Sequence, residues 1–300
     1  MRVDASPSTH TSIVSRQNSL ARLSQARRVF DRLDWWALAA WAGSPLFHID
    51  DEAALLFAPA DLTPAQALHE TELNAAWLRW CALADGTSAS PLVPRMIDAA
   101  HVALLRAGIV DALAIAHPQD WLFTYLQDAG YRTIDRMLTF EIAPHRIADQ
   151  PVARDVMIRD AFARDLPVIE QIDARCFAPA WRYPPATMQP AFSACRVFVL
   201  AEWRDAPVGY CCALLNEDHG HVVRLAVDVA HRTSGIGAAL LAHVVHALAA
   251  HGASSVSLNT QGANMLSQRL YLRMGFVELI ERPMVLHKPL AAPAGHGVGA

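Results

Sequence analysis

The stretch HVVRLAVDVAHRTSGIGAALL, residues 221–241, decides how the rest of the chain is read. Val222, Val223, Leu225, Ala226 and Val227 make a short apolar run of strand length. Residues 228–231 break it, and Gly235-Ile236-Gly237 opens a segment with a different period. There Ile236, Leu240, Val244, Ala247 and Leu248 recur at helical spacing, and Gly252 supplies a stop. A strand feeding a glycine-bearing turn at a helix start is an anion site. The first N–H groups of a helix have no internal partner, and the macrodipole adds partial positive charge. Gly235 and Gly237 carry no Cβ to block a phosphate, and Arg232 can add a charge-assisted contact. A dinucleotide fingerprint would need a third glycine where Leu240 stands, and the Gly-Lys-Ser/Thr of a nucleotide P-loop is missing.

Working outward, the second half reads as strands at 156–159, 197–202, 209–215, 221–227, 255–259 and 284–287. Helices fall at 166–176, 235–251 and 264–274. The first half ends in a similar way: helix 97–107 stopped by Gly108, strand 112–116, helix 119–129 stopped by Gly130, and a closing strand at 137–141. This alternation predicts α/β layers in two domains, 19–142 and 155–290, joined by a linker over 143–154 containing Pro144 and Pro151. Residues 1–18 and 291–300 lack apolar periodicity and are expected to be disordered. A shift of about 145 residues lays Gly130-Tyr131 on Gly275-Phe276 and brings Gly108 close to Gly252. Internal duplication accounts for this; two unrelated α/β segments with ordinary punctuation would be the alternative.

Composition limits the function. With 53% hydrophobic and 18% charged residues, 300 residues suffice for two cores. A formal net charge of −4 gives no basic footprint for nucleic acid and points to a small or cationic substrate. The five cysteines (81, 176, 195, 211, 212) have neither zinc-site nor disulfide spacing. No apolar run approaches the roughly 18 residues of a membrane span, and the richest, 35–42, is short, so a cytoplasmic protein is expected.

Two motifs carry a family resemblance. Leu225-Ala226-Val227 followed by Arg232-Thr233-Ser234-Gly235-Ile236-Gly237 resembles the Arg/Gln-x-x-Gly-x-Gly/Ala signature of the GNAT acetyltransferase superfamily. Asn264 stands seven residues before Tyr271 in Leu270-Tyr271-Leu272-Arg273-Met274-Gly275-Phe276, which is similar to that superfamily's second motif. The resemblance implies tandem GNAT-like domains, each a twisted mixed sheet flanked by helices, and an N-acetyltransferase. Its sheet would splay beside Leu225 to Val227 to admit acetyl-CoA. Leu225, Ala226 and Val227 would meet the pantetheine arm, and one backbone N–H would polarise the thioester. Arg232, Thr233, Ser234, Gly235, Ile236, Gly237 and Ala238 would hold the pyrophosphate. Asn264 would touch the arm, and Tyr271 would protonate the leaving thiolate, without any metal.

The acceptor would be a small-molecule or peptide amine. N-terminal-alanine acetyltransferases of this superfamily carry a Glu five residues before the motif Asn; here that position is Asn259. Glu217 is the candidate base, with Asp218, His219 and His221 as neighbours, and each reads more simply as a solvated turn residue. Trp181, Arg182 and Tyr183 fall where a substrate-facing loop is expected. In the first half, Ser88-Ala89-Ser90-Pro91-Leu92-Val93 replaces the phosphate loop, Gln119 the motif Asn and Leu126 the motif Tyr. That half is expected to be a degenerate GNAT-like domain. A non-catalytic acyl-CoA sensor is the alternative reading of the whole chain.

Overall fold

The computed structural model describes residues 18–31, 47–59, 75–148, 150, 155–183 and 185–290. The termini expected to be disordered and the apolar stretch 35–42 lie outside these residues, except that residue 18 opens a helical turn.

The described residues form two compact units, one of those up to 134 with 284–290 and one of those from 135 to 283. The first unit contains β1 (Arg28–Asp31), β2 (Phe47–Ile49), β3 (Ala53–Pro59) and β4 (Ala75–Leu83), then α1 (Ala89–Arg106), β5 (Asp111–Ala116) and α2 (Phe123–Asp128). From the far end of the chain it takes β13 (Met284–Pro289), which pairs antiparallel with β5 along its whole length.

The second unit opens with β6 (Arg132–Ile142) from residue 135 on, then β7 (Val156–Asp160), α3 (Leu166–Cys176) and α4 (Pro185–Ala194). It continues with β8 (Val197–Trp203), β9 (Ala206–Asn216), β10 (His219–Val227) and α5 (Ile236–Ala250), and ends with β11 (Ser255–Gln261), α6 (Met265–Arg273) and β12 (Val277–Glu278). Its strands run in the order β6-β11-β10-β9-β8-β7, with β12 on β6.

The closing strands are exchanged. The strand expected to finish the first half, β6, pairs antiparallel with β11 in the second unit, and the one expected to finish the second half, β13, lies in the first. Alternation made both legible as strands: Leu138, Phe140 and Ile142 are buried on one face of β6, and Leu286 is buried in β13. Alternation states that a face is buried, not in which core. Leu138, Phe140 and Ile142 join the core of the second unit, and Leu286 that of the first.

The two units share a design and differ at one place. In each, a central strand runs parallel to the next for a few residues and then parts from it: β4 with β5 over three pairs, β10 with β11 over four. In the first unit β1 occupies the resulting gap. It pairs antiparallel with Trp80–Leu83 of β4 on the side that β5 has left, since β3 holds the opposite side. The turn from β4 into α1 has no Arg-x-x-Gly-x-Gly sequence, and Pro91 and Pro94 remove donors near its start.

A fragment of residues 155–290 should therefore be deficient, because it leaves β11 an open edge along the six residues that β6 would pair. We expect it to aggregate in size-exclusion chromatography, while a fragment of residues 135–283 stays monodisperse. Equal behaviour of the two would show that the exchange is dispensable.

Candidate functional site

The site begins with a defect in β10. The strand pairs with β9 throughout, but Val223 is an extra residue between the pairs Val222↔Ala213 and Arg224↔Cys212. A bulge bends and over-twists its strand. Pairing with β11 stops at Val222↔Leu258, just where the bulge falls. Beyond it, the β11-facing backbone of Leu225 and Val227 has no strand partner. The Val227 carbonyl instead accepts from Arg232 Nε at 3.2 Å and Cys176 Sγ at 3.2 Å.

The turn after β10 is held open by local bonds. Asp228 receives Ala230 N at 3.3 Å and Arg175 Nε at 2.8 Å. Thr233 and Gly235 then adopt positive φ, 66° and 85°. Among the described residues, the N–H groups of residues 233–238 find no backbone or side-chain acceptor in the chain. Successive N–H groups left bare by left-handed residues at a helix start make an anion-binding concavity. One expectation changes here. A Cβ on Gly235 would meet nothing within 4 Å, so that glycine is needed for its φ rather than for space.

Strand gap, turn and α6 enclose a cleft of about 1000 Å³. Of the residues singled out from sequence, Leu225, Ala226, Val227, Arg232, Thr233, Gly235, Gly237, Ala238 and Asn264 line it, as does Trp181. Ile236 is buried in the core behind it, and the Ser234 hydroxyl turns back to the His231 carbonyl at 2.6 Å. Asn264 caps α6, accepting Ser267 N at 3.2 Å, and faces the cleft as well. Tyr271 does not line the wall. It is 6% exposed, its ring lies against Phe140 and Phe276, and its hydroxyl meets the Ser267 side chain, which does face the cleft. Burial pushes the Tyr271 phenol up to about 12.

Glu217 is not brought to the site. It is exposed in the β9–β10 turn with φ 53°, at the opposite end of β10 from Leu225. Eight residues of strand are about 26 Å. Asp218 is likewise at that end, bonded to Ser254 Oγ at 2.6 Å. His219 and His221 point from the closed part of β10 to serines of β11. Asn259 is exposed on β11.

Sequence reasoning missed the most connected pair in the site. Asp173 of α3, fully buried, forms a bidentate ion pair with Arg224 of β10, at 2.8 and 2.9 Å. Asp173 also accepts from the Tyr210 hydroxyl at 2.5 Å and from Tyr183 N at 2.8 Å. The Arg224 guanidinium donates to the Trp181 carbonyl at 2.6 Å and stacks between Phe177 and Tyr183, 3.5 and 3.9 Å from their ring centres. One cation thereby fixes the whole 177–183 loop, with Trp181 on the cleft wall. The signal was present: an aspartate beside Ile169 and Ile172 on an apolar helix face, and an arginine inside an apolar strand. Such charges stay buried only when paired.

Comparison with known proteins agrees with this geometry. Residues 166–276 match the Acetyltransferase (GNAT) family. The chain is 29% identical over 123 residues, 40% of its length and 78% of the relative's, to an uncharacterized N-acetyltransferase of Methanocaldococcus jannaschii. Its fold is similar to a GCN5-related N-acetyltransferase of Sphaerobacter thermophilus, with TM-score 0.60 and 15% identity over 91% of this chain and 92% of that one. It is also similar to a tandem GNAT protein of the clavulanic acid biosynthesis pathway, with TM-score 0.57 and 12% identity over 81% and 80% of the two chains. At these identities the likeness establishes the tandem fold.

Replacing Arg224 tests its role as the loop's anchor. Arg224→Ala leaves the Asp173 carboxylate buried and unpaired, and should cost about 3–5 kcal/mol in chemical denaturation. Asp173→Asn/Arg224→Leu together should recover a good part of that loss while leaving the 177–183 loop open to protease. A single-variant loss below about 1 kcal/mol would place the pair among weak surface bridges.

Proposed function

Residues 166–276 belong to the acetyltransferase (GNAT) family, and from that premise we propose that the chain transfers an acetyl group from acetyl-CoA to an amine by direct attack. The observation that carries this reading is the pairing of two vacant backbone rows, one on β10 and one in the turn that follows. An extended amide-bearing arm can add to the unpaired edge of Leu225 and Val227 as a strand would, with the pyrophosphate against the N–H groups of residues 233–238. An N–H on the same edge is available to the thioester oxygen as charge develops there, a role elsewhere worth about 10²–10³ in rate.

The leaving thiolate requires a proton. The Tyr271 phenol, held protonated across the neutral range by burial, is the donor, and the Ser267 hydroxyl between it and the cleft passes the proton on. The first unit is a degenerate copy whose equivalent gap is filled by β1. One acetyl-CoA per chain follows. Substrate choice falls to the 177–183 loop. The acceptor is a small-molecule or peptide amine.

Gly235→Asp puts a negative charge in the phosphate concavity, at a position where the fold has room for a side chain. Calorimetry should show one acetyl-CoA per wild-type chain and none for the variant, with the apo melting temperature lowered by only the few degrees that an aspartate at φ 85° costs. Retained affinity, or two equivalents per wild-type chain, would refute the site as assigned.

Tyr271→Phe should lower kcat by roughly 10²–10⁴ with little change in acetyl-CoA affinity, as for a group that acts in the transition state. Tight binding without turnover of any amine in the wild type would favour an acyl-CoA sensor.

A further inference from the structure

An amine that enters as a cation must lose a proton to attack, and neither Glu217 nor Asn259 can take it. The face of the sheet turned away from α5 carries an alternative. Gly220, whose missing Cβ would press on Leu248, marks the α5 side of β10, so His219 and His221 point the other way, the side on which Asp173 of α3 holds Arg224. There the His219 Nδ1 lies 2.7 Å from Ser255 Oγ and its Nε2 lies 2.8 Å from Ser257 Oγ. The same Ser257 oxygen lies 2.8 Å from His221 Nδ1. The result is a continuous chain, His221–Ser257–His219–Ser255, across the last paired rungs before β10 and β11 part. His221 Nε2 has no protein partner among the described residues and belongs to a largely buried side chain. Glu141, directly opposite Ser257 on β6, puts a carboxylate on the same face.

We infer that His221, Ser257 and His219 form a proton relay for acetyl transfer, with His221 Nε2 receiving the proton of the attacking amine. This rests on the acetyltransferase reading above. The chain has two self-consistent proton orders. In one, His221 Nδ1–H donates to Ser257, Ser257 O–H to His219 Nε2, and His219 Nδ1–H to Ser255, which leaves His221 Nε2 bare. In the other, every bond is reversed and His221 Nε2 carries the proton. Uptake at Nε2 converts the first order into the second and delivers one proton at Ser255, at the hairpin end of the sheet.

The stoichiometry closes. The ammonium form RNH3⁺ and acetyl-CoA give the amide, CoA thiol and one H⁺. The C–N bond forms and the C–S bond breaks, one amine proton replaces the proton that Tyr271 gives the thiolate, and the other leaves by the relay. From His221 to Leu225 the strand advances by three β9 partners because of the bulge. That is about 10 Å at ordinary strand rise, and His221 does not itself line the cleft, so the amine proton reaches it through bridging water. Burial, and then His219 beside it, lowers the His221 pKa to about 4. The ring is therefore neutral at pH 7 and passes a proton on rather than storing it.

The test compares two probe nucleophiles on the full chain, n-butylamine, a cation at neutral pH, and hydroxylamine, which is already uncharged. With saturating acetyl-CoA, His221→Gln should slow butylamine acetylation by roughly 10²–10⁴-fold and hydroxylamine acetylation by less than about threefold, because only the former depends on the base. Ser257→Ala should show the same selectivity, and Ser257→Thr, which keeps the hydroxyl, should restore the rate. Equal losses with both nucleophiles, or none, would overturn the relay and leave the ladder a structural pairing.

Nitrogen-15 spectra of the histidine rings in the free protein decide the chain without any acceptor. His221 should be neutral at pH 7, and Ser257→Ala should change the tautomer balance of both rings. A charged His221, or rings indifferent to Ser257, would also overturn the inference. A wild type that bound acetyl-CoA but acetylated neither probe would refute the catalytic reading and the relay with it.

Discussion

The structure turns on the separation of β10 from β11. Two parallel strands are normally held by an even ladder of slanted hydrogen bonds, and ending that ladder early exposes backbone groups that water or a ligand must satisfy. Here the extra residue Val223 over-twists β10 while its bonds to β9 continue, so the strand stays in the sheet on one side and leaves it on the other. Leu225 and Val227 thereby present an edge inside the unit, bounded by a turn whose N–H groups are equally bare. A wedge of this kind is built from backbone alone, which is why a short glycine-bearing motif suffices to mark it.

The first unit shows how the same opening is closed. β4 and β5 part as β10 and β11 do, but Arg28–Asp31 fills the gap with antiparallel pairing to Trp80–Leu83. The strand satisfies the groups that a cofactor would otherwise meet, and Phe30 is buried in that unit's core. The absence of an Arg-x-x-Gly-x-Gly turn after β4 and the occupation of the gap are consistent with each other. The exchange of β6 and β13 builds each unit partly from chain of the other half.

Around the wedge, chemistry is divided between the two faces of the sheet. On the α5 and α6 side, Tyr271 is sealed among aromatic rings and reaches the cleft through Ser267. On the other side, Arg224 is held by Asp173 and by two aromatic faces, and the loop bearing Trp181 is fixed by that one cation. The buried pair is fully satisfied, with every oxygen of Asp173 engaged. Under that condition buried charge gives a defined geometry rather than a penalty.

The local features were legible in the chain. A strand over 221–227, the turn at Arg232 to Gly237 and a helix over 235–251 follow from period, glycine and donor chemistry within some thirty residues, and so does the cap at Asn264. What depended on distant pairing was not legible. Alternation in 137–141 and 284–287 could not say which sheet would take each strand, because burying a face rewards any apolar partner. Glu217 was near Leu225 to Val227 in sequence, yet a strand advances about 3.3 Å per residue and carried it to the far end of β10. Asp173 and Arg224 stand 51 residues apart, and His221 and Ser257 stand 36 apart. By itself the sequence determined most elements of the second half, the glycine-bearing turn and the resemblance to a family; the tertiary structure alone decided the strands before residue 84, the strand exchange, the plugged first unit and the polar partners. The reason is physical: backbone conformation and helix ends are set by neighbours along the chain, whereas a charge or imidazole acquires its partner only when separate elements are packed together.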